Sequence, residues 1–122
     1  MSDIDAALET AMHLDGAVAI ALVDYTSGLV MAQSQREEFD LELAAAVNTE
    51  VVRAKLRAIE SLRLEAKIED ILITLDSQYH LIRVSQDSRL AGTFTYLVLD
   101  RARGNLALAR RALAGLDGAI AL

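Results

Sequence analysis

The sequence predicts an α+β domain: a single five-stranded antiparallel sheet with helices on both faces, in the order α-β-β-α-β-β-β-α. Three observations carry this. The run 17–23 (AVAIALV) is apolar at every position, not only at alternate ones, which marks a strand covered on both faces. Short β-rich runs come in neighbouring pairs joined by turn residues, Asp24-Tyr25-Thr26-Ser27-Gly28 and Asp76-Ser77-Gln78, as hairpins do. Between the two β blocks lies a long stretch, 38–63, whose apolar residues recur at helical spacing.

Taken in order, the first element is a helix. Ser2 suits its N-cap, Asp3 and Asp5 suit the positive end of its dipole, and Ile4, Leu8 and Met12 recur at i+4 until Gly16 ends it. Strands at 17–23 and 29–34 follow, with Gly28 placed where a hairpin needs positive φ. The middle helix comes next, after the acidic start Glu37, Glu38 and Asp40. Strands at 68–75, 79–84 and 93–99 complete the sheet, the last after the polar loop 85–92. A final helix from about 104 to 116 shows a buried stripe of Ala102, Leu106, Ala109, Leu113 and Leu116.

The middle helix is the informative one. Leu43, Ala44, Val47, Val51, Ala54, Ala58 and Leu62 share one apolar stripe; Leu41, Ala45, Val52, Leu56 and Ile59 form another. Together they span about 200°, wider than the stripe of roughly 100–140° that a helix on a single sheet needs. Glu42, Thr49, Arg53, Arg57 and Glu60 occupy the remaining ridge. Either another part of the same chain covers the second stripe or a second subunit does. Pairing of two copies is the favoured reading, and it nominates Leu41, Ala45, Val52, Leu56 and Ile59 as the interface.

Composition excludes several classes. The 122 residues are 53% apolar but only 4% aromatic, with no Trp, so aliphatic side chains fill the core and no aromatic-lined pocket is expected. One domain over 1–122 fits this length, with no Pro and no Gly/Ser linker to divide it. A net charge of −6, from 12 basic against 18 acidic residues, makes a poor generic ligand for nucleic acid. With no Cys there is no disulfide, thiolate metal site or cysteine nucleophile. The acidic N-terminus lacks the pattern of a signal peptide, and no apolar run approaches the ~20 residues that would span a bilayer. These features predict a soluble, cytoplasmic protein without membrane insertion.

No residue set suggests catalysis or a cofactor. Phosphate loops and dinucleotide fingerprints are absent. Asp24 and Asp76 sit in turns, where carboxylates bond nearby backbone. His13 and His80 lie in no Ser/His/Asp or metal-binding spacing and are expected to be structural. Glu65, Glu69 and Asp70 read as a solvated acidic loop, with a weak cation site as the remote alternative. The four arginines of FTYLVLDRARGNLALARRAL read chiefly as stems skirting the core, heads in water. Arg101, near a strand end, is the one that invites a functional test.

These same stretches, GAVAIALVDYTSGLVMA, EDILITLDSQYHLIRV and FTYLVLDRARGNLALARRAL, resemble the Roadblock family, the dynein light-chain Roadblock and MglB-like domains. The resemblance extends over nearly the whole chain and lies in the core pattern. It implies a homodimer or heterodimer, here taken as a homodimer, in which sheets join edge to edge through strand 68–75, with Ile71 and Ile73 at the junction, while the middle helices pack together. It also implies a regulatory or adaptor module, not itself an enzyme and without a cofactor, that binds a small Ras-like GTPase and modulates its activity or location. The docking surface would be Arg53, Arg57 and Glu60, with Arg101 as an outlying candidate. The alternatives are a structural subunit of a larger motility or transport scaffold and, remotely, a small ligand sensor or enzyme using the acidic cluster near Glu69.

Overall fold

Side-chain alternation builds three layers. The computed structural model describes residues 3–120; the proposed cap Ser2 lies outside them. The chain runs α1 (Asp3–Ala11), β1 (Ala17–Asp24), β2 (Leu29–Gln35), α2 (Leu41–Ser61), β3 (Asp70–Thr74), β4 (Gln78–Val84), a 3-10 turn (Ser88–Leu90), β5 (Thr93–Asp100) and α3 (Leu106–Ile120). All strand pairs are antiparallel, in the spatial order β2-β1-β5-β4-β3.

β1 and β5 are central, and each is buried along its length except at the terminal aspartate. Ile20 and Leu22 of β1, with Leu97 and Leu99 of β5, meet Leu8 of α1 and Leu113 of α3 on one face. Ala21 and Val23 of β1, with Phe94 and Tyr96 of β5, meet Leu41, Ala45 and Val52 of α2 on the other. Both faces are therefore dry, which is why the 17–23 run shows no polar alternation. A bulge in the β1–β5 pairing sets Val18 and Ala19 together on the α2 face, and alternation resumes after them.

Turn chemistry fixes the connections. The Asp24 carboxylate accepts the Thr26 N–H at 2.8 Å and the Thr26 hydroxyl at 2.7 Å, and the hydroxyl chiefly holds its pKa below the usual carboxylate value. Gly28 closes that turn at φ +80°. The second hairpin is tighter than expected: the Leu75 N–H donates to the Gln78 carbonyl at 2.8 Å, and Gln78 already belongs to β4.

Several boundaries differ from expectation: α2 is confined to Leu41–Ser61, β3 to Asp70–Thr74, and α3 runs past Leu116 to Ile120. α1 ends at Ala11, and Gly16, at φ +81°, instead introduces β1. α3 starts later, because the Asp100 carboxylate accepts the Ala102 N–H and Asn105 caps the Leu108 N–H at 3.1 Å. Ala102 is therefore an exposed turn residue and not part of the buried stripe; Ala109, Leu113 and Leu116 are buried as expected.

Candidate functional site

α2 begins where Asp40 Oδ1 accepts the Leu43 N–H at 3.0 Å, and it crosses β1 and β2 rather than the centre of the sheet. On the same sheet face Ile82 and Val84 of β4 are covered, but the N-terminal part of β4 at His80 and the neighbouring Ile73 of β3 are only half-buried. The result is an open groove of ≈ 570 Å³, with Leu43, Ala44, Val47 and Val51 as its helix wall and Ile73, Leu75, His80 and Tyr96 as its sheet side. Leu43 is 60% exposed and Val47 53%, more than a folded chain ordinarily leaves uncovered along one helix face.

This reverses the assignment of the two stripes. Leu41, Ala45 and Val52, expected at a subunit interface, are 2%, 0% and 0% exposed because they pack on the chain's own sheet. Leu56 and Ile59, farther along that face, are half-buried, Leu56 against the same core. The open stripe is the other one, Leu43-Val47-Val51. The physical reason lies in Asn48 and Thr49. They interrupt the inner stripe with polar atoms, yet each satisfies itself: Asn48 Nδ2 donates to the Ala44 carbonyl at 2.8 Å and the Thr49 hydroxyl to the Ala45 carbonyl at 2.7 Å. Thr49 is accordingly buried and not on the exposed ridge.

β3 is one of the two edge strands, with β2 at the other side of the sheet, and it is hydrogen-bonded on one side only. Ile71 and Ile73 point to the α2 side and are half-buried, whereas Leu72 points to the α1–α3 side. An uncharged Ile-Leu-Ile edge is a template for pairing with another strand.

The groove floor is polar at one place. His80 Nδ1 lies 3.0 Å from the Tyr96 hydroxyl, and His80 Nε2 lies 2.9 Å from Gln78 Oε1. The Asn48 side chain favours the ionised form of the Tyr96 hydroxyl. Burial pushes the Tyr96 pKa up to about 12, against the smaller opposing effect of Asn48, and burial lowers that of His80. Phe39 presents its ring to His80 edge-on, centroids 6.0 Å apart. A second groove, ≈ 460 Å³, runs between α1 and α3 on the opposite face; Ala7, Ala11, Ala112 and Gly115 make it a smooth apolar seam.

The charged ridge lies on the other flank of α2. Arg53 Nη2 donates to the Thr26 carbonyl at 3.1 Å, and Arg53 pairs with Glu50 at 3.7 Å. Arg57 and Glu60 are exposed beyond it. Arg101 does not join them. It donates to the Leu75 carbonyl at 3.0 Å and lies over the Tyr79 ring at 5.5 Å, at the end of the sheet where Leu99 pairs with Ala17. Thr26 follows the opposite end of β1. Two further arginines also have partners: Arg110 grips Asp70 with two bonds of 3.0 and 3.3 Å, and Arg103 pairs with Asp100 at 3.6 Å. Asp70 is therefore part of an α3–β3 tie and not only a loop carboxylate. Among the described residues no three metal-ligating side chains converge, and no helix is long and apolar enough to cross a membrane.

No family model matches the sequence, and no curated protein does. Solved structures do. The Roadblock/LC7 domain from Streptomyces avermitilis superposes with a TM-score of 0.82 at 17% identity, covering 98% of this chain and 95% of that one. The gliding protein MglB from Thermus thermophilus gives 0.81 at 17% identity, covering 98% and 86%. Myxococcus xanthus MglB gives 0.84 at 13% identity, covering 98% and 85%. At these identities what is shared is the fold: the chain has a Roadblock-like fold.

Proposed function

We propose that this chain is a homodimeric regulatory or adaptor module that binds a small Ras-like GTPase and modulates its activity or location. The observation that carries the self-association is the exposed Leu43-Val47-Val51 face, lying beside the open Ile71-Ile73 edge. Two copies related by a two-fold axis can cover both features at once, helix against helix and edge against edge. The GTPase reading rests on the likeness to MglB and on a charged ridge free of that groove, Arg53, Arg57 and Glu60. On this reading Arg101 is not part of the docking patch, since it stands at the other end of the sheet.

Affinity capture from native cytosol, followed by hydrolysis assays on any small G protein recovered, tests the proposal. Arg53→Glu with Arg57→Glu should weaken docking at least about tenfold while leaving the dimer intact. Failure to recover a G protein in any nucleotide state would sink the GTPase reading. Recovery of a larger assembly instead would favour a scaffold subunit.

A further inference from the structure

The polar floor of the groove has directions that depend on one proton. With Gln78 Oε1 facing Nε2, the neutral His80 ring donates from Nε2 and accepts at Nδ1 from the Tyr96 hydroxyl. Every member of that chain is then satisfied. Protonating His80 places hydrogens on both ring nitrogens. Nδ1 then donates to Tyr96, and the phenol hydrogen loses its acceptor. The cation also stands in an apolar surround: Phe39 before α2, Ala44 and Val47 on α2, Ile73 of β3 paired directly with His80, and Val98 of β5 paired on its other side.

We propose that His80 makes self-association through this groove sensitive to pH: copies pair when the imidazole is neutral and separate when it is protonated, so mild acid uncovers the groove. This rests on the homodimer reading above and adds its regulation. Burial already lowers the His80 pKa in a single copy, and covering the groove removes more water from the ring and lowers it further. Pairing therefore releases protons. Affinity is full above the single copy's His80 pKa and falls as pH drops below it, by up to roughly 100-fold per pH unit for two rings.

The other charged groups near the ring leave this sign unchanged. Tyr96 stays neutral throughout the range. Asp40, the one carboxylate on the groove, favours the cation, but it is exposed and holds the Leu43 N–H. Arg101, bonded to the Leu75 carbonyl at the groove's end, disfavours it. Gln78 and Asn48 carry no charge.

Sedimentation velocity from about pH 7.5 to about pH 5, with circular dichroism confirming the fold at each pH, tests this. The parent Kd should rise at least about tenfold, and His80→Gln should hold within about threefold over the same range. His13→Gln, on the opposite face, and Asp40→Asn should keep the parent's response. Equal weakening of the parent and His80→Gln would overturn the inference and leave the dimer standing; a monomer at every pH would overturn both. Should His80→Gln misfold, the His80 ring resonance of the parent decides. Its midpoint must lie lower at dimer-forming concentration than at dilution, and equal midpoints overturn the proposal.

Discussion

Two aspartate variants of the same helix should fail in opposite ways. Leu43→Asp with Val47→Asp alters the exposed flank of α2, and Val52→Asp alters its inner face, 0% exposed. Fully burying a Val or Leu side chain is worth about 1.5–3 kcal/mol. Leu43 and Val47 are 60% and 53% exposed, so covering what remains is worth roughly 2–3 kcal/mol per chain. Across a two-fold pair that becomes roughly 4–6 kcal/mol. Introducing carboxylates removes this and adds a desolvation cost, so the dimer Kd should rise at least about 1,000-fold. The fold should hardly notice: both sites face water, and an aspartate in the first turn suits the helix dipole.

Val52→Asp would instead bury an unpaired carboxylate against β1 and β2. Such a change costs more than about 4 kcal/mol, close to the whole stability of many domains, so the chain should lose its cooperative melt. Sedimentation equilibrium reads the mass and thermal circular dichroism reads the fold. If Val52→Asp is a well-folded monomer while Leu43→Asp/Val47→Asp keeps the parent Kd, the two stripes are reversed and the groove is not the interface.

Two further substitutions test the fold itself. Asp117 on α3 is buried; its carboxylate accepts the Gln86 N–H at 3.2 Å and pairs with Arg83 at 3.5 Å, the two side chains 9% and 17% exposed. Asp117→Ala strands both donors and should cost about 2–3 kcal/mol, lowering Tm by roughly 6–12 °C; a drop under about 2 °C would mean the tie contributes little. Arg63 ends α2 at φ +56°, with the Arg63 N–H on the Glu60 carbonyl and the Leu64 N–H on that of Ile59. That is a left-handed cap held by a residue with a Cβ, so Arg63→Gly should stabilise by roughly 0.5–1 kcal/mol, visible as a higher denaturant midpoint, and a lower midpoint would refute the cap argument.

The layers of this molecule could be read from periodicity because burial on both sides of a strand leaves a plain signature. The 17–23 run, the two hairpins and the strand 93–99 all appear where the apolar pattern puts them. What could not be read was the orientation of α2. Its two stripes are about equally apolar, and the one that packs inward is interrupted by Asn48 and Thr49. Only their bonds to the carbonyls four residues earlier make that interruption harmless. The same limit hid the Arg110–Asp70 pair, 40 residues apart, and the His80–Tyr96 bond, 16 apart. No helical or strand period connects such residues; the packing of α3 on the sheet joins the first pair and the β4–β5 register the second.

The geometry of α2 also bears on how one helix could serve two partners. At 100° per residue, the inner face centres near Val52, the groove flank near Val47 and Val51, and the charged flank near Arg53 and Arg57, each roughly 120° from the next. Arg53 is drawn toward the β1–β2 turn by the Thr26 carbonyl, away from β4 and β3. A copy seated in the groove therefore leaves the charged flank in water, and a partner on that flank has no reason to displace the copy. Groove and ridge substitutions share no contact, so their free-energy effects should add to within about 0.5 kcal/mol. Strong coupling between them would mean that one surface is assembled by the other. The ridge would then be a property of the pair and not of the single chain.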